Sequence, residues 1–158
     1  MATRWLSDDE QTAWRAVTSM SARLSARLQR DLQAQSGISE ADYAVLVALS
    51  EAAEGRLRPY ELGRATRWEK SRLSHHLRRM IARGLVERHD CPTDARGAFV
   101  TLTPAGHDTI EQAAPLHVES VRAAFVDSLT ADELHTFGEL AARIAAHLGD
   151  DGDCSCDN

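Results

Sequence analysis

Residues 70–81 combine an apolar face with a face of hydrogen-bond donors. Leu73, Leu77 and Met80 recur at the spacing of one helical face, which predicts that this face packs against the body of the protein. The positions between them carry polar or positively charged side chains: Lys70, Ser71, Arg72, Ser74, His75, Arg78 and Arg79. Guanidinium, ammonium, hydroxyl and imidazole groups in this arrangement can donate hydrogen bonds to a negatively charged surface of acceptors.

The charge of the chain is divided between this region and the rest. The 158 residues have a formal net charge of −6, but residues 56–96 contain eleven basic and five acidic side chains and carry +6. The remainder of the chain carries −12. A polyanion is attracted to the central region and repelled by the remainder, so the charge pattern both favours binding and orients it. Charge alone fits a solvated basic surface equally well.

Double-stranded DNA is the polyanion that suits a helix with these donors. An α-helix fits the major groove, where each base pair presents a distinct pattern of donors and acceptors, and the start of the helix reaches the base edges. The candidates for base contacts are Ser71, Arg72, Ser74 and His75. The candidates for phosphate contacts, which fix the register and supply salt-dependent affinity, are Lys70, Arg78 and Arg79.

A β-hairpin is predicted directly after this helix. Residues 85–88 and 98–102 have the pattern of two short strands, and the link between them is polar and contains Pro and Gly. Arg96 near the tip can enter a narrow minor groove, where the negative potential is strongest. Asp94 is expected to hold the Arg96 guanidinium or to cap the turn, and Arg88 completes the predicted DNA contacts. Alone, the Asp-Arg pair would be an incidental feature of a surface turn, but its place after a basic helix favours a DNA-binding wing.

Helical patterns lie on both sides of this region. Ser7, Ser39 and Thr130 are each followed three residues later by an acidic residue, which is the pattern of a capping box at a helix start. The predicted helices cover residues 8–36, 39–49, 59–66, 69–83, 104–128 and 131–148. Residues 51–57 have no period and are predicted to be a connection.

Residues 59–106 resemble the multiple-antibiotic-resistance regulator (MarR) family of bacterial transcription factors. The likeness rests on Glu61-Leu62-Gly63, Glu69-Lys70-Ser71-Arg72-Leu73-Ser74, Arg83-Gly84-Leu85-Val86-Glu87-Arg88, Asp94-x-Arg96 and Val100-Thr101-Leu102-Thr103-Pro104-x-Gly106. The flanking helices match the family's plan, so the likeness extends over residues 10–148. The sequence departs from the family pattern at His75-His76 and in its Cys-x-Cys tail.

The predicted fold is mainly α with a small β-hairpin wing, in a single domain of residues 1–148. Residues 39–103 form a winged helix-turn-helix, residues 8–36 and 104–148 form dimerisation helices, and residues 149–158 form a disordered acidic tail. The resemblance implies a homodimer that binds a pseudo-palindromic operator. A dimer is also expected on physical grounds, because one recognition helix supplies few base contacts and the terminal helices carry more apolar residues than a small core needs.

The resemblance further implies a repressor that a small, often phenolic, effector releases from DNA. Trp14, Arg15 and Tyr43 in the first two helices are candidate ligand contacts, although core packing accounts for the two aromatic residues equally well. Metal or redox sensing is the alternative for the signal. Cys91 lies in the basic wing, and Cys154 and Cys156 lie in the tail.

Other functions are disfavoured by what the sequence contains. The histidine spacings include no pair four residues apart, so we predict no metal site. No catalytic triad, glycine-rich phosphate loop or carboxylate pair stands out, so we predict neither an enzyme nor a cofactor. A winged helix that binds proteins is the stronger competitor, but such a face would carry aromatic and apolar anchors. The first ten residues lack the apolar segment of a signal peptide and no apolar run could cross a bilayer, so we expect a cytoplasmic protein without membrane contacts.

Overall fold

Six α-helices and three β-strands follow one another in the described residues, 3–90 and 98–149, of the computed structural model. In chain order they are α1 (Asp8–Ser36), α2 (Glu40–Ser50), β1 (Arg56–Leu57), α3 (Pro59–Thr66), α4 (Lys70–Ala82), β2 (Val86–Asp90), β3 (Ala98–Leu102), α5 (Pro104–Ala124) and α6 (Ala131–Leu148), with a short 3-10 helix (Val126–Ser128) between the last two. The predicted mainly helical fold with a small hairpin is confirmed. The predicted tail, apart from Gly149, lies outside the described residues.

The predicted helix starts at the three capping boxes are confirmed. At α1, the Ser7 hydroxyl oxygen accepts the Glu10 N–H at 3.3 Å, and the Glu10 carboxylate accepts the Ser7 N–H at 2.8 Å. The same reciprocal pair of hydrogen bonds begins α2 at Ser39 and α6 at Thr130. These bonds satisfy N–H groups that a helix start otherwise leaves without a partner, which is why short polar side chains fix the helix boundaries.

The sheet is antiparallel, with the strand order β1-β3-β2. Val86 pairs with Leu102 and Asp90 with Ala98, which gives the predicted hairpin. Residues 51–57 are not a connection throughout, because Arg56 and Leu57 pair with Thr101 and Val100 and add a third strand. A strand of two residues has no alternation that a sequence pattern could show.

The core lies where α2, α3 and α4 meet the sheet and α5. Its fully buried side chains include Leu46 and Leu49 of α2, Leu62 of α3 and Met80 of α4. The inward face of β3 contributes Val100, which has no exposed surface. Only the apolar face of α4 packs into this core, because burial of its charged face would be unfavourable.

The start of α5 packs tightly against the turn between α4 and β2. A Cβ atom on Gly106 would overlap the carbonyl oxygen of Leu85 and lie 3.1 Å from its carbonyl carbon. The Leu85 carbonyl accepts the Thr103 N–H at 3.2 Å, and the Thr103 hydroxyl donates to the Gly84 carbonyl at 2.6 Å. Only a glycine allows this approach, so the helix-turn-helix is joined rigidly to α5.

Two features of the C-terminal helices matter for assembly. The helix predicted to run to residue 128 ends earlier, because Phe125 leaves the helical conformation at φ −136° and ψ −61° and a 3-10 turn follows. In α6 no residue is buried, although the helix carries Leu140, Ile144 and Leu148 along its length. None of the helices within residues 3–90 and 98–149 is both long and apolar enough to cross a membrane.

Candidate nucleic-acid interface

The turn between α3 and α4 places the basic helix. The Trp68 N–H donates to the Gly63 carbonyl at 2.9 Å, and Arg67 takes the left-handed conformation at φ 55°. A Cβ atom on Gly63 would lie 3.2 Å from the Trp68 carbonyl oxygen, so a larger residue would crowd the turn. The two helices therefore follow each other closely, as a helix-turn-helix requires.

Helix α4 has the two faces that its sequence predicts. Leu73, Leu77 and Met80 are buried against the core. The predicted DNA-contacting side chains of this helix are all exposed: Lys70, Ser71, Arg72, Ser74, His75, Arg78 and Arg79. The structure therefore brings these seven residues together on one accessible surface, hereafter the α4 face.

No described residue neutralises the cations of the α4 face. Lys70, Arg78 and Arg79 form no hydrogen bond or ion pair with any described residue, and the His75 ring forms none either. Surface arginines elsewhere do pair with acids, for example Arg27 with Asp31 at 2.8 Å. Unpaired cations on a convex helix keep their full attraction for a phosphate backbone.

Arg72 has one aromatic neighbour. Its guanidinium carbon lies 4.5 Å from the centre of the Trp68 ring. This distance allows a cation–π interaction, which restrains the guanidinium while leaving its N–H donors at its edge. Trp68 was not among the predicted site residues, because it lies in the turn before α4 and helical spacing gives no sign of its contact with Arg72.

The second histidine of the His75-His76 pair points inward. His76 Nε2 lies 3.1 Å from Oδ1 of Asp42, within ion-pairing distance but without hydrogen-bond geometry. Burial lowers the pKa of His76, and Asp42 opposes this effect only in part. The His76 ring is therefore neutral at pH 7, and only His75 of the pair faces solvent.

Asp42 connects the start of α2 with α4. It is 3% exposed, accepts the Ser39 N–H at 3.0 Å and pairs with Arg83 Nη1 at 2.7 Å. Burial alone would raise the pKa of Asp42, but the hydrogen bonds from Ser39 and Arg83 outweigh it and lower the pKa. A buried carboxylate held in its charged form thus ties the start of α2 to Arg83 and contacts the ring of His76.

The hairpin presents part of the predicted wing. Arg88 on β2 is exposed and forms no ion pair with a described residue. On the outer face of the sheet, the guanidinium carbons of Arg56 and Arg58 lie 4.7 Å and 5.0 Å from the centre of the Phe99 ring. Asp94 and Arg96, predicted at the tip, and Cys91 lie outside the described residues.

The candidate ligand residues lie in two different places of one chain. Tyr43 is half-buried and packs against His117 of α5, with ring centres 4.4 Å apart. Trp14 and Arg15 lie on the exposed first half of α1, about 16 Å along the helix from Ser25. Ser25 is where α1 reaches α2, through a hydrogen bond to Glu40 at 3.2 Å. A site shared by the three residues stays a prediction.

A metal centre has no support in the described part of the chain. No group of three His, Cys, Asp or Glu side chains is arranged there to hold an ion. Cys154 and Cys156 lie outside that part, as does Cys91, so sensing through these thiols stays a prediction.

Comparisons with known proteins agree with the geometry. A sequence model of the MarR family matches residues 36–97. The Multiple antibiotic resistance protein MarR of Escherichia coli is 30% identical over 118 residues, which cover 75% of this chain and 81% of that protein.

Two solved structures from Streptomyces coelicolor have the same fold. AbsC, a MarR family transcriptional regulator, is 43% identical with a TM-score of 0.87, and the match covers 92% of this chain and 98% of AbsC. Sco3205, a MarR family transcriptional regulator solved in complex with DNA, is 38% identical with a TM-score of 0.88, covering 94% and 97% of the two chains. With its helix-turn-helix, its three-stranded sheet and these relatives, the chain belongs to the MarR family of transcriptional regulators.

Proposed function

We propose that this chain binds specific sites in double-stranded DNA as a homodimer, with α4 in the major groove, and represses transcription at those sites. The observation that carries the proposal is the α4 face, where seven exposed donors surround an apolar anchor and the cations have no ion-pair partner among the described residues. The complex of Sco3205 with DNA supports DNA as the partner.

The roles within the α4 face follow from position along the helix. Ser71, Arg72, Ser74 and His75 stand near the start of α4 and are proposed to meet base edges. Lys70, Arg78 and Arg79 are proposed to hold phosphates, with Arg88 on β2 as a further contact. Arg96, with Asp94 beside it, is proposed to enter the adjacent minor groove.

Unburied apolar side chains support the dimer. Large hydrophobic side chains that stay exposed in one chain are concentrated on the N-terminal segment, α1, α5 and α6: Trp5, Leu6, Trp14, Val17, Val118, Leu140, Ile144 and Leu148. Trp14 is 61% exposed and Ile144 is 58% exposed, which is unfavourable for a monomer in water. We propose that residues 8–36 and 104–148 cover these side chains between two copies, and that residues 39–103 act as the DNA-binding unit.

A two-fold dimer gives the specificity that one helix lacks. Two copies of α4 related by a two-fold axis meet half-sites that are inverted and about one helical turn apart, so the operator is proposed to be pseudo-palindromic. Occupation of such a site blocks access of other proteins to the same duplex, which is the simplest route to repression.

We also propose that a small-molecule effector acts where α2 meets α5. The rings of Tyr43 and His117 contact each other there at a tilt of 44°, at the junction of the proposed DNA-binding unit with the dimerisation helices. A ligand that separates this pair would move the two parts relative to each other. Trp14 and Arg15 contribute to the same site only if a second copy brings them near, so effector binding is measured on the dimer.

The test is DNA binding across a salt series with matched variants. Arg78→Ala/Arg79→Ala removes two phosphate contacts per chain and four per dimer, so the slope of log affinity against log salt should fall in magnitude by about 3 to 4. The control Arg143→Ala changes an exposed arginine of α6 and should leave the slope unchanged. Size-exclusion chromatography of all variants checks that the dimer is intact.

The outcome separates this proposal from its competitor. A winged helix that binds proteins predicts no complex with duplex at any salt concentration. Equal slopes of log affinity against log salt for the wild type and the double variant would contradict the assignment of the α4 face as the DNA-binding surface.

A further inference from the structure

Arg72 is held by contacts that continue away from the proposed DNA surface. Its guanidinium lies over the Trp68 ring at 4.5 Å, and it forms no hydrogen bond or ion pair with a described residue. Arginine loses considerable rotamer freedom when it is fixed for a bidentate contact, so a surface that fixes it beforehand favours that contact. The Trp68 ring is such a surface.

Trp68 is in turn fixed by His76. The two rings meet edge to face, with centres 5.3 Å apart and an angle of 83° between their planes. The Trp68 side chain is partly buried against the hydrophobic core, and the backbone N–H of Trp68 donates to the Gly63 carbonyl in the turn. Trp68 lies in the turn before α4, and its ring contacts Arg72 and His76, which are four positions apart on the helix, so the three side chains form one row at the start of α4.

The far end of His76 lies against Asp42. The carboxylate lies 3.1 Å from His76 Nε2 and is itself held by Ser39 and Arg83. A continuous set of contacts thus runs from the start of α2, through His76 and Trp68, to Arg72.

We propose that Trp68 and His76 are positioning residues that hold Arg72 for recognition of one base, with guanine as the base that its fork of donors matches best. This inference rests on the proposed DNA-binding function. It adds that base discrimination at the Arg72 position depends on residues that do not touch the DNA. Bidentate arginine contacts to guanine O6 and N7 are the commonest specific pairing in the major groove, and they need a defined guanidinium orientation.

The experiment measures base discrimination in a double-mutant cycle. The preferred duplex is first selected from a random library with the wild-type protein, and the position read by Arg72 is the one at which Arg72→Ala loses preference. Trp68→Leu should reduce discrimination at that position by about three- to tenfold and leave affinity for random duplex within about twofold. In the Arg72→Ala background, Trp68→Leu should have no further effect on discrimination.

A second variant guards against loss of the fold. Trp68→Phe keeps an aromatic ring with a weaker cation–π interaction and should give a smaller loss at the same position. His76→Leu should likewise lower discrimination there, without altering the salt dependence of binding. Urea unfolding of each variant establishes that the protein compared is folded.

The results distinguish this inference from the proposed function. If the wild type selects no sequence, the DNA-binding proposal itself fails. A different result is that Arg72→Ala relaxes one base position while both Trp68 variants change base discrimination by the same factor in the wild-type and Arg72→Ala backgrounds. In that case Trp68 is only a packing residue, and the inference is overturned.

Discussion

Replacing Gly106 with alanine should destabilise the protein, although alanine is the better helix former. Inside an exposed helix this change gains up to about 1 kcal/mol. Here the added methyl group would overlap the backbone of Leu85, which no rotamer change can relieve. Overpacking of this kind costs about 1–3 kcal/mol.

The surrounding hydrogen bonds resist the movement that would make room. The Gly106 N–H donates to the Thr103 hydroxyl at 3.0 Å, and the Thr103 N–H donates to Leu85 at 3.2 Å. Losing one of them costs about 1 kcal/mol more. After the gain in helix propensity is subtracted, the net loss is about 1–3 kcal/mol, or about 2–12 °C in melting temperature for a chain of this length.

The assay is thermal unfolding followed by circular dichroism at one fixed protomer concentration, because the proposed dimer would make the melting temperature depend on concentration. Ala105→Gly is the matched control, since it makes the opposite change at an exposed neighbour in the same helical turn and should cost no more than about 1 kcal/mol. A Gly106→Ala protein as stable as the wild type would refute the close packing of α5 on Leu85.

Three further predictions concern DNA binding and pH. Arg72→Ala should lower affinity for the selected site by about 1–3 kcal/mol and relax discrimination at one base, as measured by fluorescence anisotropy, whereas equal weakening on random duplex would contradict a base contact. Arg96→Ala should weaken binding most on duplexes with A·T-rich flanks, and an unchanged flank preference in the same assay would remove the minor-groove contact. Burial lowers the pKa of His117 despite the opposing effect of Glu40, so the unfolded chain takes up a proton before the folded one as the pH falls below about 6.5. Stability to urea should therefore fall between pH 7.5 and 5.5, and His117→Gln should make that fall smaller; an equal fall in the variant would contradict the assignment.

Local signals account for the parts of the fold that could be predicted from sequence. Ser7, Ser39 and Thr130 mark helix starts because a capping box is complete within four residues. The two faces of α4 were predictable for a similar reason, since the period of Leu73 and Leu77 alone determines which side chains face outward.

The unpredicted features depend on contacts between distant residues. Asp42 is bonded to Arg83, 41 positions away, and no pattern around either residue indicates the pairing. The strand β1 exists only because β3 offers Thr101 and Val100 as partners. The inward position of His76 could not be predicted either, because it depends on a contact with Asp42, which belongs to another helix.

Selection of binding sites from a random duplex library tests most directly whether two copies of α4 read adjacent major grooves. The enriched sequences should contain two inverted half-sites with centres about 10 base pairs apart, and Arg72→Ala should relax the same position in both. Enrichment of a single unrepeated site, or no enrichment above random duplex, would contradict recognition of DNA by a two-fold dimer.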